Sequence, residues 1–184
     1  MEVTCGLNRN LSLSSGLRER KLSKAADYMI EVEIPGLKKL TLAHLVLDFN
    51  GTMAIDGILI EGVEHALNNL AQHLSIHILT TDPPGLAQGQ IKKIAGTLHV
   101  LSPAGLAMAR QRFVGDLGAE RVVCIGTGRN DQLMLRTAAL GMEITKGEGL
   151  TNRTCLPATI PCSSILDALS LLQNPKRLMA TWPK

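Results

Sequence analysis

The sequence predicts an α/β fold in three layers, with a doubly wound parallel sheet enclosed between helices. Short apolar runs rich in β-branched residues recur along the chain and alternate with stretches of helical periodicity. These runs are continuously apolar, as is typical of strands buried on both faces of a sheet. No linker divides the chain, and 184 residues fit one domain of ordinary size. We therefore expect a single domain over residues 28–184.

The elements follow one another in a regular order. The predicted strands begin at Met29 and continue at 44–49, 75–80, 97–101, 121–126, 142–145 and 154–160. A small hairpin is predicted over 53–60, with its turn at Asp56 and Gly57. Helical periodicity begins at Val63 and recurs at 84–94, at 104–117 and from Asn130. Ser163 or Ser164 is expected to cap a last helix in the stretch ILDALSLL.

Composition excludes several classes of function. Aromatic residues make up only 2% of the chain, so platforms for stacking bases are nearly absent. The formal net charge is +3, but the excess of positive charge lies at the two ends and the middle is close to neutral, which argues against a nucleic-acid groove. No apolar stretch approaches the roughly 20 residues that cross a bilayer. We therefore expect neither a nucleic acid nor a membrane as partner.

The N-terminal segment and the cysteines bear on location. Residues 1–27 lack clear periodicity, and we expect them to be a disordered leader or to precede the true start of translation. They also lack the apolar core of a signal peptide. The four cysteines show no CxxC spacing, which is typical of reduced thiols. These observations predict a cytoplasmic protein.

Small and polar residues follow three of the predicted strands. The first central strand ends in DFNGT (48–52), the next in TTD (80–82), and a later one in GTGRND (126–131). In a doubly wound sheet, ligands bind beyond the carboxyl ends of the strands. The three stretches are therefore expected to meet at one edge of the sheet and to form the functional site.

A carboxylate at this edge suits chemistry on phosphorus. Asp48 can act as a nucleophile that forms an aspartyl-phosphate, which divides a difficult hydrolysis into two easier steps. The repulsion between carboxylate and phosphate must be neutralised, and Mg²⁺ suits this role because it prefers oxygen ligands and retains several waters. Asp131 supplies a second carboxylate. Gly51 lets the backbone pass close to a phosphate, and exposed N–H groups there can bind the phosphate oxygens.

These motifs resemble those of the haloacid dehalogenase (HAD) superfamily, and within it those of the small soluble P-type ATPase-like proteins. The stretches that carry the resemblance are LVLDFNGTMAIDG (45–57), Thr80-Thr81-Asp82, GRNDQLML (128–135) and NPKRLMAT (174–181). The likeness runs from Met29 to the C-terminus. It implies a Rossmann-like HAD fold and a hydrolase that uses Mg²⁺ and a phosphorylated substrate.

The resemblance also implies roles for matching positions. Asp48 would be the nucleophile and a metal ligand, the Asn50 backbone carbonyl another ligand, and Asp131 a carboxylate of the metal shell. Thr80 would donate a hydrogen bond to phosphate, with Thr81 as the adjacent candidate. The cation that steadies the nucleophile and the phosphate aligns best with Arg110, with Lys92 and Lys93 as alternatives.

Two departures from the superfamily pattern affect the expected activity. Asn50 replaces the acid that protonates the leaving group in most of these phosphatases, and an amide cannot titrate. General acid–base help contributes roughly 10²- to 10⁴-fold, so hydrolysis is expected to be slow. Thr127 stands where the first acid of the later motif is expected, and its hydroxyl is a weaker Mg²⁺ ligand.

Two hypotheses of function follow. One is a Mg²⁺-dependent phosphohydrolase or phosphotransferase acting through phospho-Asp48 on an unspecified substrate. The other is a binding or regulatory module that keeps the phosphate pocket but has little or no turnover. The spacing between motifs leaves no room for a large cap domain. The site is therefore expected to be open, covered by the 53–60 hairpin or by a neighbouring subunit of a homo-oligomer.

Overall fold

The computed structural model of the chain describes residues 29–33, 39–81, 85–145 and 159–181. At its centre, six parallel strands form one sheet in the order β10-β9-β8-β3-β6-β7. The strands of this sheet, in chain order, are β3 (His44–Asp48), β6 (Ser75–Thr80), β7 (Thr97–Val100), β8 (Val122–Gly126), β9 (Leu140–Ile144) and β10 (Thr159–Cys162). The predicted parallel α/β sheet is confirmed.

Helices cover both faces of this sheet. The helices, in chain order, are α1 (Val63–Leu70), α2 (Leu86–Gln90), α3 (Leu106–Asp116), α4 (Gln132–Thr137), α5 (Ile165–Gln173) and α6 (Pro175–Thr181). Short 3-10 turns at Ala119–Arg121 and Arg129–Asp131 lead into β8 and α4. One of these turns lies before β8 and the other after it, so they lie at opposite ends of this strand.

Alternate residues of the strands enter two separate cores. On β3, Leu45 and Leu47 face a large cluster that also contains apolar residues of α1, α2, α5 and α6. Val46 faces a smaller cluster formed with α3 and α4, in which Val114 and Met134 are fully buried. This alternation follows from the period of two in a strand, and it explains why the strand sequences are continuously apolar.

Two small antiparallel pairs lie outside the central sheet. The predicted hairpin is present as β4 (Ala54–Ile55) and β5 (Ile58–Leu59), and both turn residues have positive φ angles. β1 (Ile30–Val32) pairs with β2 (Leu40–Leu42), a strand that the sequence pattern did not predict. Residues 49–74 hold only the hairpin and α1 between β3 and β6, so no cap domain is inserted there.

The C-terminal part differs from the prediction at the end of the last strand and contains a helix that was not predicted. The last strand was predicted at 154–160 but is observed at Thr159–Cys162, and residues 151–158 lie outside the described part. It extends past 160 because it is the edge strand, where Pro161 can be accommodated without loss of a ladder hydrogen bond. The segment after α5 forms a further helix, α6, which contacts β1. The predicted leader at 1–27, Asp82, Cys5 and Cys155 lie outside the described residues.

Within the described ranges, no helix is both long and apolar enough to span a membrane. Cys124 and Cys162 are buried free thiols, as the absence of a CxxC spacing predicts. Burial raises the pKa of Cys162 to about 12, so this thiol stays protonated at physiological pH.

Candidate active site

Asp48 and Asp131 lie at the carboxyl edge of the sheet, where the sequence places the site. Asp48 is the last residue of the central strand β3, and Asp131 ends the 3-10 turn that follows β8. β8 and β3 are neighbours in the sheet, so the loops after them are adjacent. Both acids are buried, with exposed fractions of 5% for Asp48 and 0% for Asp131.

Arg110 joins the two carboxylates. It comes from α3, which packs on the same face of the sheet as Val46. Its Nη2 donates to Asp48 Oδ1, and its Nη1 donates to Asp131 Oδ1. We call these two ion pairs the Arg110 bridge. The structure thus places the predicted cation, the predicted nucleophile and the second acid in one buried cluster.

Two threonines bind the remaining carboxylate oxygens. The Thr127 backbone N–H donates to Asp131 Oδ2 over 2.7 Å. The Thr52 hydroxyl lies 3.4 Å from Asp48 Oδ2 and 3.4 Å from the Thr127 hydroxyl. Thr127, predicted as a metal ligand, therefore holds Asp131 through its amide, while its hydroxyl faces Thr52.

Gly126 makes room for Asp131. A Cβ atom at residue 126 would lie 2.6 Å from Asp131 Oδ2 and 2.8 Å from Asp131 Cβ, much closer than real Cβ contacts. Only a residue without a side chain therefore fits beneath this carboxylate. Neither Gly126 nor Thr52 had a predicted role. Both lie within the motifs, which was the one sign of a role in the sequence. What each residue contacts cannot be read from its position along the chain.

Burial sets the protonation of the acids. Desolvation raises the pKa of Asp48, although Arg110 and Thr52 oppose the rise. Desolvation and repulsion from Asp48 raise the pKa of Asp131 to about 7, against the opposing effects of Arg110 and the Thr127 amide. The two buried carboxylates thus repel each other, and the cation held between them favours their ionised forms.

The other predicted site residues differ in burial and in their distance from this cluster along the sheet. Thr80 is buried at the end of β6, one residue beyond the partner of Asp48, and Thr81 is half-buried beside it. Asn50 is exposed and bridges to Ala54. Lys92 and Lys93 are exposed just after α2, a helix of the opposite face, so the structure favours Arg110 over them.

Gly51 differs from its expected use. Its φ of 80° requires glycine, but its N–H already donates to the Ala54 carbonyl over 2.7 Å. The amide is therefore part of the turn that leads into the hairpin, and it is not free to bind a phosphate oxygen. Asp48 itself is buried and paired with Arg110, and the open site expected without a cap domain stays a prediction.

Comparison with known proteins gives one sequence relative and several similar structures. No family model matches the chain. The uncharacterized protein MJ0073 of Methanocaldococcus jannaschii is 42% identical over 62 residues, which are 34% of this chain and 67% of that protein.

Solved structures of phosphatases share the architecture. The 3-deoxy-D-manno-octulosonate 8-phosphate phosphatase of Moraxella catarrhalis, in complex with magnesium, phosphate and KDO, aligns with a TM-score of 0.56 and 14% identity over 76% of this chain and 90% of its own. The cobalt-bound deoxy-D-mannose-octulosonate 8-phosphate phosphatase of Haemophilus influenzae aligns with a TM-score of 0.58 and 9% identity over 78% of this chain and 94% of its own.

A third structure, described as a HAD superfamily (subfamily III A) hydrolase of Legionella pneumophila, aligns with a TM-score of 0.54 and 13% identity over 92% of this chain and 96% of its own. At such identities the likeness concerns the fold, and it agrees with the motifs that begin at Asp48. The chain belongs to the same family as MJ0073, and its fold is that of the haloacid dehalogenase superfamily.

Proposed function

We propose that the chain is a phosphohydrolase or phosphotransferase in which Asp48 accepts the phosphoryl group of a phosphate ester. The observation that carries the proposal is the cluster of two buried carboxylates and one guanidinium at the carboxyl edge of the sheet. The HAD-like fold supports it, because the similar solved structures include two phosphatases, one holding magnesium and phosphate and the other cobalt.

The donor set fits a divalent ion such as Mg²⁺. Asp48 and Asp131 each give an oxygen to one guanidinium, so both acids lie within reach of a single cationic group. Two carboxylates completed by waters and phosphate oxygens are a usual Mg²⁺ environment, and the Asn50 carbonyl and Thr127 hydroxyl are further oxygen donors nearby in sequence. When bound, the ion would neutralise charge between the carboxylates and the phosphoryl group.

The residues of the chain then divide the work. An oxygen of Asp48 attacks phosphorus, a new O–P bond forms, and the bond from phosphorus to the ester oxygen breaks. The departing oxygen takes its proton from solvent, because the amide at Asn50 cannot supply one. Water then attacks the phosphorus of the aspartyl-phosphate, which releases phosphate and restores the carboxylate. Arg110 stabilises the negative charge that gathers on the phosphoryl oxygens.

The test is to trap the phosphoenzyme. We expect the protein, incubated with Mg²⁺ and acetyl phosphate and quenched in acid, to gain the mass of one phosphoryl group on Asp48, and hydroxylamine to remove it. Hydrolysis of p-nitrophenyl phosphate is expected to be measurable because p-nitrophenolate leaves without an acid. Asp48→Asn should abolish both signals. Asp116→Asn, at an exposed aspartate at the end of α3, is the matched control and should retain both.

A second candidate is a binding or regulatory module that keeps the anion site without turnover. The burial of Asp48 beneath Arg110 and the amide at Asn50 favour it. In that case, wild type and Asp48→Asn would show the same background hydrolysis and neither would carry a phosphoryl group, a result that would contradict the enzymatic proposal.

A further inference from the structure

The Arg110 bridge holds the two carboxylates that a shared divalent ion would also bind. One oxygen of each carboxylate accepts from Arg110, and the second oxygen accepts from Thr52 or from the Thr127 amide. The contact from Thr52 is long, at 3.4 Å, whereas that from Thr127 is 2.7 Å. Asp48 is therefore the less firmly held of the two acids.

A divalent ion and the guanidinium compete for the same oxygens. Both are cations, and in a buried site their mutual repulsion is only weakly screened. Arginine remains protonated at any physiological pH, so Arg110 cannot lose its charge to make way for the ion. Entry of the ion is therefore opposed as long as the guanidinium holds both carboxylates.

Arg110 retains an unused hydrogen-bond donor. Among the residues that the structure describes, its buried Nε finds no acceptor. A buried donor without a partner is unfavourable, and it can be satisfied by an additional anion. Guanidinium groups bind phosphate through two parallel N–H bonds, and Nε together with one Nη offers this arrangement.

We propose that Arg110 is an internal cation that closes the metal-free site and is drawn from the carboxylates by a phosphoryl anion, so that phosphate and divalent metal bind cooperatively. The inference rests on the proposed function, since it concerns the order in which ligands enter that site. Without phosphate, the bridge offsets part of the negative charge of the acids and the ion binds weakly. With phosphate, Arg110 pairs with the anion, and the oxygens of Asp48 and Asp131 become available.

The experiment measures metal binding in the absence of turnover. The full chain is titrated with Mn²⁺, a paramagnetic probe whose free fraction is read by electron paramagnetic resonance, with and without inorganic phosphate. We expect phosphate to tighten Mn²⁺ binding by about tenfold or more, within the range usual for coupling between two ligands. By reciprocity, Mn²⁺ should tighten phosphate binding by the same factor.

Substitutions at Arg110 separate the bridge from a general charge effect. Arg110→Gln should bind Mn²⁺ about tenfold or more tightly without phosphate, and phosphate should no longer strengthen that binding. Arg110→Lys keeps the charge but gives up the two-pronged geometry, and it should show a smaller phosphate effect than wild type. It also serves if Arg110→Gln does not fold, which circular dichroism would reveal. Arg112→Gln, at an exposed arginine of the same helix, should behave like wild type.

Equal Mn²⁺ affinity in wild type and Arg110→Gln, with no effect of phosphate in either, would overturn this inference. Formation of phospho-Asp48 would still stand in that case, because it is measured separately with acetyl phosphate. Conversely, cooperative binding of Mn²⁺ and phosphate in a protein that never carries a phosphoryl group would support the bridge and contradict the proposed catalysis.

Discussion

Asp131 can approach the sheet because Gly126, the last residue of β8, has no side chain. The hydrogen bond from the Thr127 amide then fixes the carboxylate, and Arg110 links it to Asp48. Glycine at residue 126 thus leaves the space in which the Asp131 carboxylate can share a cation with Asp48.

Gly126→Ala is expected to disrupt this arrangement. The added methyl would lie 2.6 Å from Asp131 Oδ2, so the carboxylate must move away. We expect a loss of about 1–3 kcal/mol in the free energy of unfolding. A displacement of about 1 Å in a positioning group can cost 10²-fold in rate, so the yield of phosphoenzyme at fixed time should fall by about that factor. Urea unfolding and the trapping experiment measure the two effects.

Gly115→Ala provides the matched control. It makes the same chemical change within α3, where a Cβ would meet nothing within 4 Å. Because alanine favours a helix over glycine by roughly 0.5–1 kcal/mol, this variant should be as stable as wild type or more stable. If both substitutions had the same effect, the proposed role of Gly126 would be wrong.

The site residues that were predicted correctly to lie together are those whose chemical type indicates their role. Asp48 and Asp131 are acids at strand ends, and Arg110 was aligned through the resemblance of the motifs; the structure joins all three. Thr52 and Gly126 escaped because they act through packing and a hydroxyl contact, which spacing along the chain does not encode. Gly51 was assigned to phosphate, whereas its amide is used by the turn.

Helix α5 shows which elements are determined locally. The sequence predicted a cap at Ser163 or Ser164, and the structure selects Ser164, whose Oγ accepts from the Asp167 N–H over 3.1 Å. Ser163 instead donates to the Asp167 carboxylate on the exposed surface. A capping hydrogen bond spans only three residues, so a short sequence pattern is enough to predict it.

β2 and α6 show the opposite case. β2 is short and, within the described residues, pairs with β1 alone. α6, near the C-terminus, contacts β1 as well. Each is stabilised by contacts with another segment, nearby in sequence for β2 and distant for α6, which periodicity within the segment itself does not reveal. These two elements were therefore missed, although the six strands of the central sheet were all predicted.

Ser164→Ala is predicted to destabilise the protein by about 1 kcal/mol, because the Asp167 amide at the first turn of α5 loses its acceptor. Ser163→Ala removes only an exposed bond between side chains and should change stability by less than about 0.5 kcal/mol. Urea unfolding of the two variants, measured at the same pH and salt concentration, gives the difference. Equal losses would show that the cap does not depend on Ser164.

The order of the strands in the sheet brings the residues of the site together. β3 lies in the middle of the sheet with β6 and β8 on either side, so the ends of these strands at Asp48, Thr80 and Gly126 are adjacent. Alternation of strands and helices predicted a parallel sheet, but not which strands are neighbours. The expectation that the three loops meet came from the rule that ligands bind at the carboxyl ends of the strands, and the order of the strands was not predicted.

A row of three histidines links the stability of the whole molecule to pH. His44 on β3, His77 on β6 and His99 on β7 lie side by side, with 3.2 Å between the ring nitrogens of each adjacent pair. Phe113 of α3 covers His77 and His99. Desolvation, together with repulsion from the other two rings, lowers the pKa of His77 to about 4, and burial also lowers the pKa of His44 and of His99.

Acidification should therefore weaken the fold through this row. Below pH 6.5 the unfolded chain binds protons that the folded histidines do not, so their contribution to stability is complete above pH 6.5 and is lost as the pH falls toward 4. The raised pKa of Asp131 acts in the opposite direction over the same interval. The informative quantity is thus the difference between wild type and a variant without the central ring.

His77→Gln should lose less stability than wild type between pH 7 and about pH 4.5, by about 1–2 kcal/mol once solvent screening of the half-buried ring is allowed for. His73→Gln, at an exposed histidine after α1, should parallel wild type across the same range. Urea unfolding at several pH values, under constant ionic strength, measures the three curves. If the curve of His77→Gln ran parallel to that of wild type, protonation of the row would not account for the acid sensitivity. If it flattened while His73→Gln did not, the cost of charging three adjacent rings beneath α3 would explain why this face of the sheet tolerates histidine only in its neutral form.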